Sequence, residues 1–227
     1  MTALTTIVIK PQTEHRYSII WLHGLGADGH DFEGIVPQLK LMNKSAIRFI
    51  FPNAPVQPVT INGGMAMRAW YDIAGAALQR EVDVAGIYQS AAAIVKLIDQ
   101  EIASGVAPEH ILLAGFSQGG VIALHAGLRY PKRLAGILAL STYLPTVPQL
   151  AMEASKANQA LPIFFAHGNS DSIVPMEIAK QAYQALVALH YPVQWWEYAM
   201  PHSVCPQEVE HIAQFINTVF KESDQSL

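Results

Sequence analysis

Strand-length apolar runs alternate with helix-period segments along the whole 227-residue chain. The runs lie near 7–9, 17–22, 47–51, 111–114, 136–140, 163–166 and 193–196, and most lack the polar alternation of a sheet with one wet face. Strands buried on both faces read this way. Between them, 31–41, 84–104, 119–129, 176–189 and 206–220 carry helical spacing, and this rhythm predicts an α/β fold with a mostly parallel, doubly wound sheet and helices on both faces. Two stretches break the rhythm. Residues 53–77 are rich in Pro, Gly and Met and read as an irregular connection or a small excursion at the sheet's C-terminal edge, and 141–159 follows a strand with Ser-Thr-Tyr-Leu-Pro; either fits a pocket wall. With 51% hydrophobic and 14% charged residues, 1–227 is expected to form one domain, with only the tail 221–227 fraying.

One motif gains its meaning from this alternation. Gly115-Phe116-Ser117-Gln118-Gly119 spells G-x-S-x-G between the run at 111–114 and the helix at 119–129. A strand turning sharply into a helix lifts one side chain above the sheet edge, and the flanking glycines tolerate the strained backbone and close packing there. Ser117 is the candidate nucleophile. Its hydroxyl needs a base to take the proton, and the base needs a carboxylate to hold its tautomer; in the α/β-hydrolase arrangement the chain order is serine, acid, histidine. Asp171 is the only aspartate between Ser117 and the later histidines, and it sits in the loop after 163–166. Glu153 and Glu177 fall in helix-like sequence, and Glu197 lies within or at the end of a strand. His190 ends a helix and His211 lies inside one, whereas His202 follows the strand at 193–196 in a loop, where this architecture places catalytic groups. Asp171 and His202 are therefore the candidate acid and base.

An oxyanion formed at Ser117 needs two donors. The backbone N–H of Gln118 supplies one, and the loop His23-Gly24-Leu25-Gly26-Ala27-Asp28-Gly29 supplies the other through Leu25. That loop also spells G-x-G-x-x-G, but a dinucleotide site wants an acidic residue about 20 positions on, and the chain offers only Asn43-Lys44-Ser45 before an apolar strand. His23, His30, Asp28 and Asp31 form no recognised metal spacing. No metal and no cofactor are expected.

The net charge of −4, with no Lys/Arg-rich block, argues against a nucleic-acid partner. No apolar run approaches the ~18 residues of a membrane span. The N-terminus reads as a strand rather than a signal peptide, and the single Cys205 excludes an internal disulfide, so a cytoplasmic location is expected.

Around these residues the chain resembles the acyl-protein thioesterase, carboxylesterase and lysophospholipase family of α/β-hydrolases, and bacterial carboxylesterases most of all. The resemblance rests on Trp21 through Gly29, Pro52-Asn53-Ala54-Pro55, Val59 through Gly64, Ala69-Trp70-Tyr71-Asp72, Gly115 through Gly120, Leu140 through Pro145 and His167-Gly168. It implies an α/β-hydrolase fold without a large lid domain, and hydrolysis of carboxylic esters or thioesters through an acyl-enzyme. Lysophospholipase activity is the alternative within enzymes, and a non-catalytic binding protein of the same fold the alternative outside them. Two departures stand out. Pro201 precedes His202 where the group usually has glycine, and Met67-Arg68-Ala69 replaces Met-Pro-Ser, bringing a charge toward the pocket rim. An acyl groove is expected among Leu25, Ile61, Met65, Met67, Trp70, Leu144 and Val174, and the apolar excess of the loops fits either such a groove or a homodimer contact.

Overall fold

The computed structural model describes residues 3–75 and 82–225. In chain order the strands are β1 (Thr6–Ile9), β2 (Tyr17–Leu22), β3 (Ile47–Pro52), β4 (Val56–Val59), β5 (Met65–Arg68), β6 (Ile111–Phe116), β7 (Gly136–Leu140), β8 (Ile163–Gly168) and β9 (Val193–Tyr198). The helices are α1 (His30–Glu33), α2 (Val84–Ala103), α3 (Gln118–Arg129), α4 (Val147–Glu153), α5 (Met176–Ala188) and α6 (Pro206–Asp224). Seven strands form one sheet in the order β1-β3-β2-β6-β7-β8-β9, in which every neighbouring pair is parallel except β1 with β3. β4 and β5 form a separate antiparallel hairpin.

Alternate residues of each central strand serve opposite cores. Ile20, Leu22, Leu113, Ile137, Ala139, Ile163 and Phe165 pack with α2, α3 and α5. Ile19, Trp21, Phe49, Phe51, Leu112, Ala114, Leu138, Leu140, Phe164 and Ala166 pack with Phe32 of α1 and the apolar face of α6. Because both faces are covered, the central strands carry no polar period. The parallel run also directs the C-terminal ends of β2, β6, β8 and β9 toward one edge, where the four loops that matter emerge.

Three expectations change. The helix expected at 31–41 is the four-residue α1, ended at Gly34 and followed by a 3-10 turn over Val36–Gln38 that contains Pro37. Residues 53–77 contain the β4–β5 hairpin, with a 3-10 turn at Thr60–Asn62; Ala76 and Ala77 lie outside the described residues. The tail is helical through Asp224, whose carboxylate accepts hydrogen bonds from Arg16 (2.8 Å) and Tyr17 (2.7 Å), while Ser226 and Leu227 lie outside the description.

The first turn of α6 holds an uncommon group. Glu208 is fully buried and neither carboxyl oxygen completes a hydrogen bond, so burial pushes its pKa from 4.5 up to about 8, with the Cys205 backbone N–H pulling weakly the other way. A carboxyl with a raised folded-state pKa contributes its full stability only below its unfolded pKa, and that contribution is lost as pH rises toward 8. Glu208→Gln should therefore match the parent near pH 4 and exceed it by on the order of 3–4 kcal/mol at pH 7 to 8. Denaturant melts at both pH values check this. A stability difference that did not change with pH would contradict it.

Candidate active site

Ser117 stands between the end of β6 and the start of α3 with φ 54° and ψ −120°, a backbone region that side chains rarely occupy. The surroundings hold it there. Its N–H donates to Leu140 O (2.9 Å), its carbonyl accepts from Thr142 Oγ1 (2.7 Å), and a Cβ on Gly115 would collide with the Gly119 carbonyl. The turn is thus as tight as the two glycines permit. Gln118 is the first residue of α3, and its N–H is one of the donors that a helix cannot satisfy internally.

Two further loops meet beside this turn. The loop after β8 is zipped to the loop after β9 by Asn169 N–H to Tyr198 O (2.9 Å) and Ser170 N–H to Met200 O (3.2 Å), an approach so close that a Cβ on Gly168 would strike the Met200 carbonyl. His202 Nδ1 consequently lies 2.7 Å from Asp171 Oδ2. Asp171 is buried, and its other oxygen accepts from the N–H groups of Ile173 and Val174, each at 2.9 Å. With Nδ1 donating to the carboxylate, the lone pair of His202 falls on Nε2, the nitrogen that a hydroxyl can approach. The imidazole also packs on Phe116, next to Ser117, with ring centroids 4.7 Å apart. Pro201 is accommodated without displacing His202 from Asp171, and its carbonyl accepts from Ser203 N–H (2.9 Å).

Behind Asp171 sits a second imidazole. His167 is fully buried, gives its Nε2 proton to Val174 O (2.8 Å), and lies 3.5 Å from Asp171 Oδ2. Desolvation holds its pKa below the usual histidine value. It braces the acid's turn as a neutral ring.

The fourth loop follows β2. A Cβ on Gly24 would lie 3.5 Å from Ser117 Cβ, so the residue before Leu25 lies against Ser117. Buried His23 fixes the loop's root: its Nε2 accepts from Ala54 N–H (3.1 Å), so the proton is on Nδ1 and goes to Gly24 O (2.7 Å). Burial lowers its pKa, consistent with that neutral form. Arg68 Nη1 donates to Ala54 O (2.9 Å), so the charge expected at the rim is turned onto a carbonyl, and Arg68 O accepts from Gly26 N–H (2.9 Å).

A family model described as Phospholipase/Carboxylesterase matches residues 4–220. The chain belongs to this family. Phospholipase/carboxylesterase relatives with curated names include acyl-protein thioesterase 1 of Schizosaccharomyces pombe, 40% identical over 82% of this chain and 83% of the relative, and that of Gibberella zeae, 37% identical over 94% of each. Among solved structures, Arabidopsis thaliana SOBER1 superposes with a TM-score of 0.86 at 32% identity, covering 90% of this chain and 99% of the other. Zea mays acyl-protein thioesterase 2 gives 0.83 at 27% identity, covering 95% and 98%. This family member accordingly has the α/β-hydrolase fold that the resemblance implied, with the mostly parallel sheet that the alternation predicted.

Within this phospholipase/carboxylesterase site, the groove candidates separate. Trp70, Leu144 and Val174 are 1%, 5% and 2% exposed and pack in the core, whereas Ile61 and Met65, on the hairpin, are 44% and 64% exposed. Met67 and Leu25 are half-buried, and Met67 Sδ would lie 3.8 Å from a Cβ on Gly26. Trp70 has a polar task as well, since its indole N–H donates to His23 O (2.9 Å). Sequence reasoning missed the tasks of His23, Thr142, His167 and the Gln118 side chain; the dipeptides His23-Gly24 and His167-Gly168, each at a strand end, were the available signal. No helix among the described residues is long and apolar enough to cross a membrane, and none of their His, Cys, Asp and Glu side chains cluster as a metal site would require.

Proposed function

We propose that Ser117, His202 and Asp171 form the catalytic triad of this esterase/thioesterase, with the N–H groups of Leu25 and Gln118 as the oxyanion hole. The 2.7 Å Asp171–His202 contact beside the positive-φ serine carries the reading. His202 Nε2 takes the Ser117 proton as Oγ attacks the acyl carbonyl. The two backbone N–H groups hold the charge on the carbonyl oxygen, where such donors are usually the largest catalytic contribution. His202 then protonates the departing alcohol or thiol, leaving Ser117 acylated. Water repeats the sequence and releases the acid. No step calls on a cofactor.

The substrates proposed are acyl esters and thioesters, including acylated proteins, an assignment supported by the names of the thioesterase relatives. The exposed apolar side chains of Val56, Ile61 and Met65 favour a second reading, lysophospholipid hydrolysis, because they present a face to which aggregated lipid adheres. A single folded domain acting in the cytoplasm completes the proposal. The test compares a p-nitrophenyl ester, a palmitoyl thioester and a lysophospholipid at equal concentration. Preference for either of the first two by at least tenfold in kcat/KM is expected. A dominant rate on the lysophospholipid would transfer the assignment to the second reading, and no turnover of any of the three would end both.

A further inference from the structure

The Gln118 side chain is 2% exposed and makes two hydrogen bonds to a segment 47 to 48 positions earlier in the chain. Its Oε1 accepts from Trp70 N–H (2.8 Å) and its Nε2 donates to Tyr71 O (2.6 Å). The same short segment reaches the other oxyanion donor. Trp70 Nε1 donates to His23 O (2.9 Å), and Arg68 O accepts from Gly26 N–H (2.9 Å), so the bonds fall on either side of Leu25. Residues 68–71 therefore hold both halves of the candidate hole, and they leave directly from the β4–β5 hairpin whose Met67 lies against Gly26.

A buried carboxamide with both ends satisfied locks one arrangement, because either end left unpaired in the interior is costly. We propose that the Gln118 side chain is a positioning residue coupling the hairpin to the oxyanion hole, so that an acyl chain seated against the hairpin raises kcat as well as binding. The inference rests on the reading that Leu25 and Gln118 N–H groups are the oxyanion donors. Contact of the acyl chain with Met67 would steady residues 68–71. Their four hydrogen bonds would carry that order to the Gln118 and Leu25 peptides, without the acyl chain touching either N–H.

Gln118→Met keeps the backbone N–H and the side-chain length while removing both hydrogen bonds. Steady-state kinetics on p-nitrophenyl acetate, butyrate and octanoate should show kcat rising with chain length in the parent. In the variant, kcat on octanoate should fall roughly 30-fold or more and on acetate only a few-fold, with KM changing less than about threefold for each. Affinity for an octyl trifluoromethyl ketone, whose adduct places an oxyanion in the hole, should fall in step with the octanoate kcat. Gln118→Glu, which keeps the acceptor for Trp70 N–H, should fall between parent and Gln118→Met; thermal unfolding checks that each variant is folded. Equal loss of kcat at every chain length, or a loss confined to KM, overturns the coupling. If the ketone binds the parent no better than the corresponding methyl ketone, it is the oxyanion-hole reading itself that fails.

Discussion

Ser117→Ala should lower kcat on activated esters by roughly 10⁴-fold or more while leaving the protein folded, since members of a nucleophile–base–acid set act as a unit and losing one removes most of the chemistry. The remaining activity would come from binding and from the two proposed backbone donors, which alanine leaves in place. A fluorophosphonate probe should label the parent and not the variant. The backbone supplies a control that pure loss of activity lacks. Ser117 sits at φ 54°, ψ −120°, where any side chain bears strain of ~1–3 kcal/mol, so Ser117→Gly should be as inactive as Ser117→Ala yet unfold at a higher temperature. Residual kcat within tenfold of the parent, or retained labelling, would remove Ser117 from the mechanism.

The alternation of apolar runs was enough to place the seven strands of the main sheet and four of the six helices of the described residues, with α1 cut to a single turn, because strands buried on both faces and amphipathic helices leave different periods in the chain. Orientation was not legible. β1 lies antiparallel to β3, and its four residues read no differently from those of a parallel edge strand. The β4–β5 hairpin was hidden because its strands are four residues each, one containing Pro58 and the other with no buried residue. Asp171 and His202 could be singled out by chain order and by their place after β8 and β9, and those two loops meet. The Gln118, His23 and Thr142 side chains could not be singled out in that way. Each bonds to backbone groups 25 to 48 positions distant, and a backbone partner has no sequence signature. Trp70, Leu144 and Val174 illustrate the converse limit, for an apolar side chain reads alike in a groove and in a core.

The last glycine of the pentapeptide carries a load that the motif alone does not disclose. Gly119 lies in the first turn of α3, where a Cβ would meet Leu22 O at 2.5 Å and His23 O at 2.6 Å. Both obstacles are backbone, at the end of a central strand and the root of the Leu25 loop, so no rotamer change relieves them. Gly119→Ala must push α3 away from β2, and this displaces Gln118 N–H relative to Leu25 N–H, the separation on which the proposed oxyanion hole depends. We expect ~3 kcal/mol or more of lost stability, read from denaturant melts, together with at least a 10²-fold loss of kcat that persists at temperatures where the variant is fully folded. Gly34→Ala serves as the comparison, since a Cβ there meets nothing within 4 Å and should leave both measurements close to the parent. If Gly119→Ala lost stability but kept its kcat when folded, the close approach of α3 to β2 would serve packing alone, and the geometry of the hole would have to be set by the Trp70–Tyr71 hydrogen bonds to Gln118 instead.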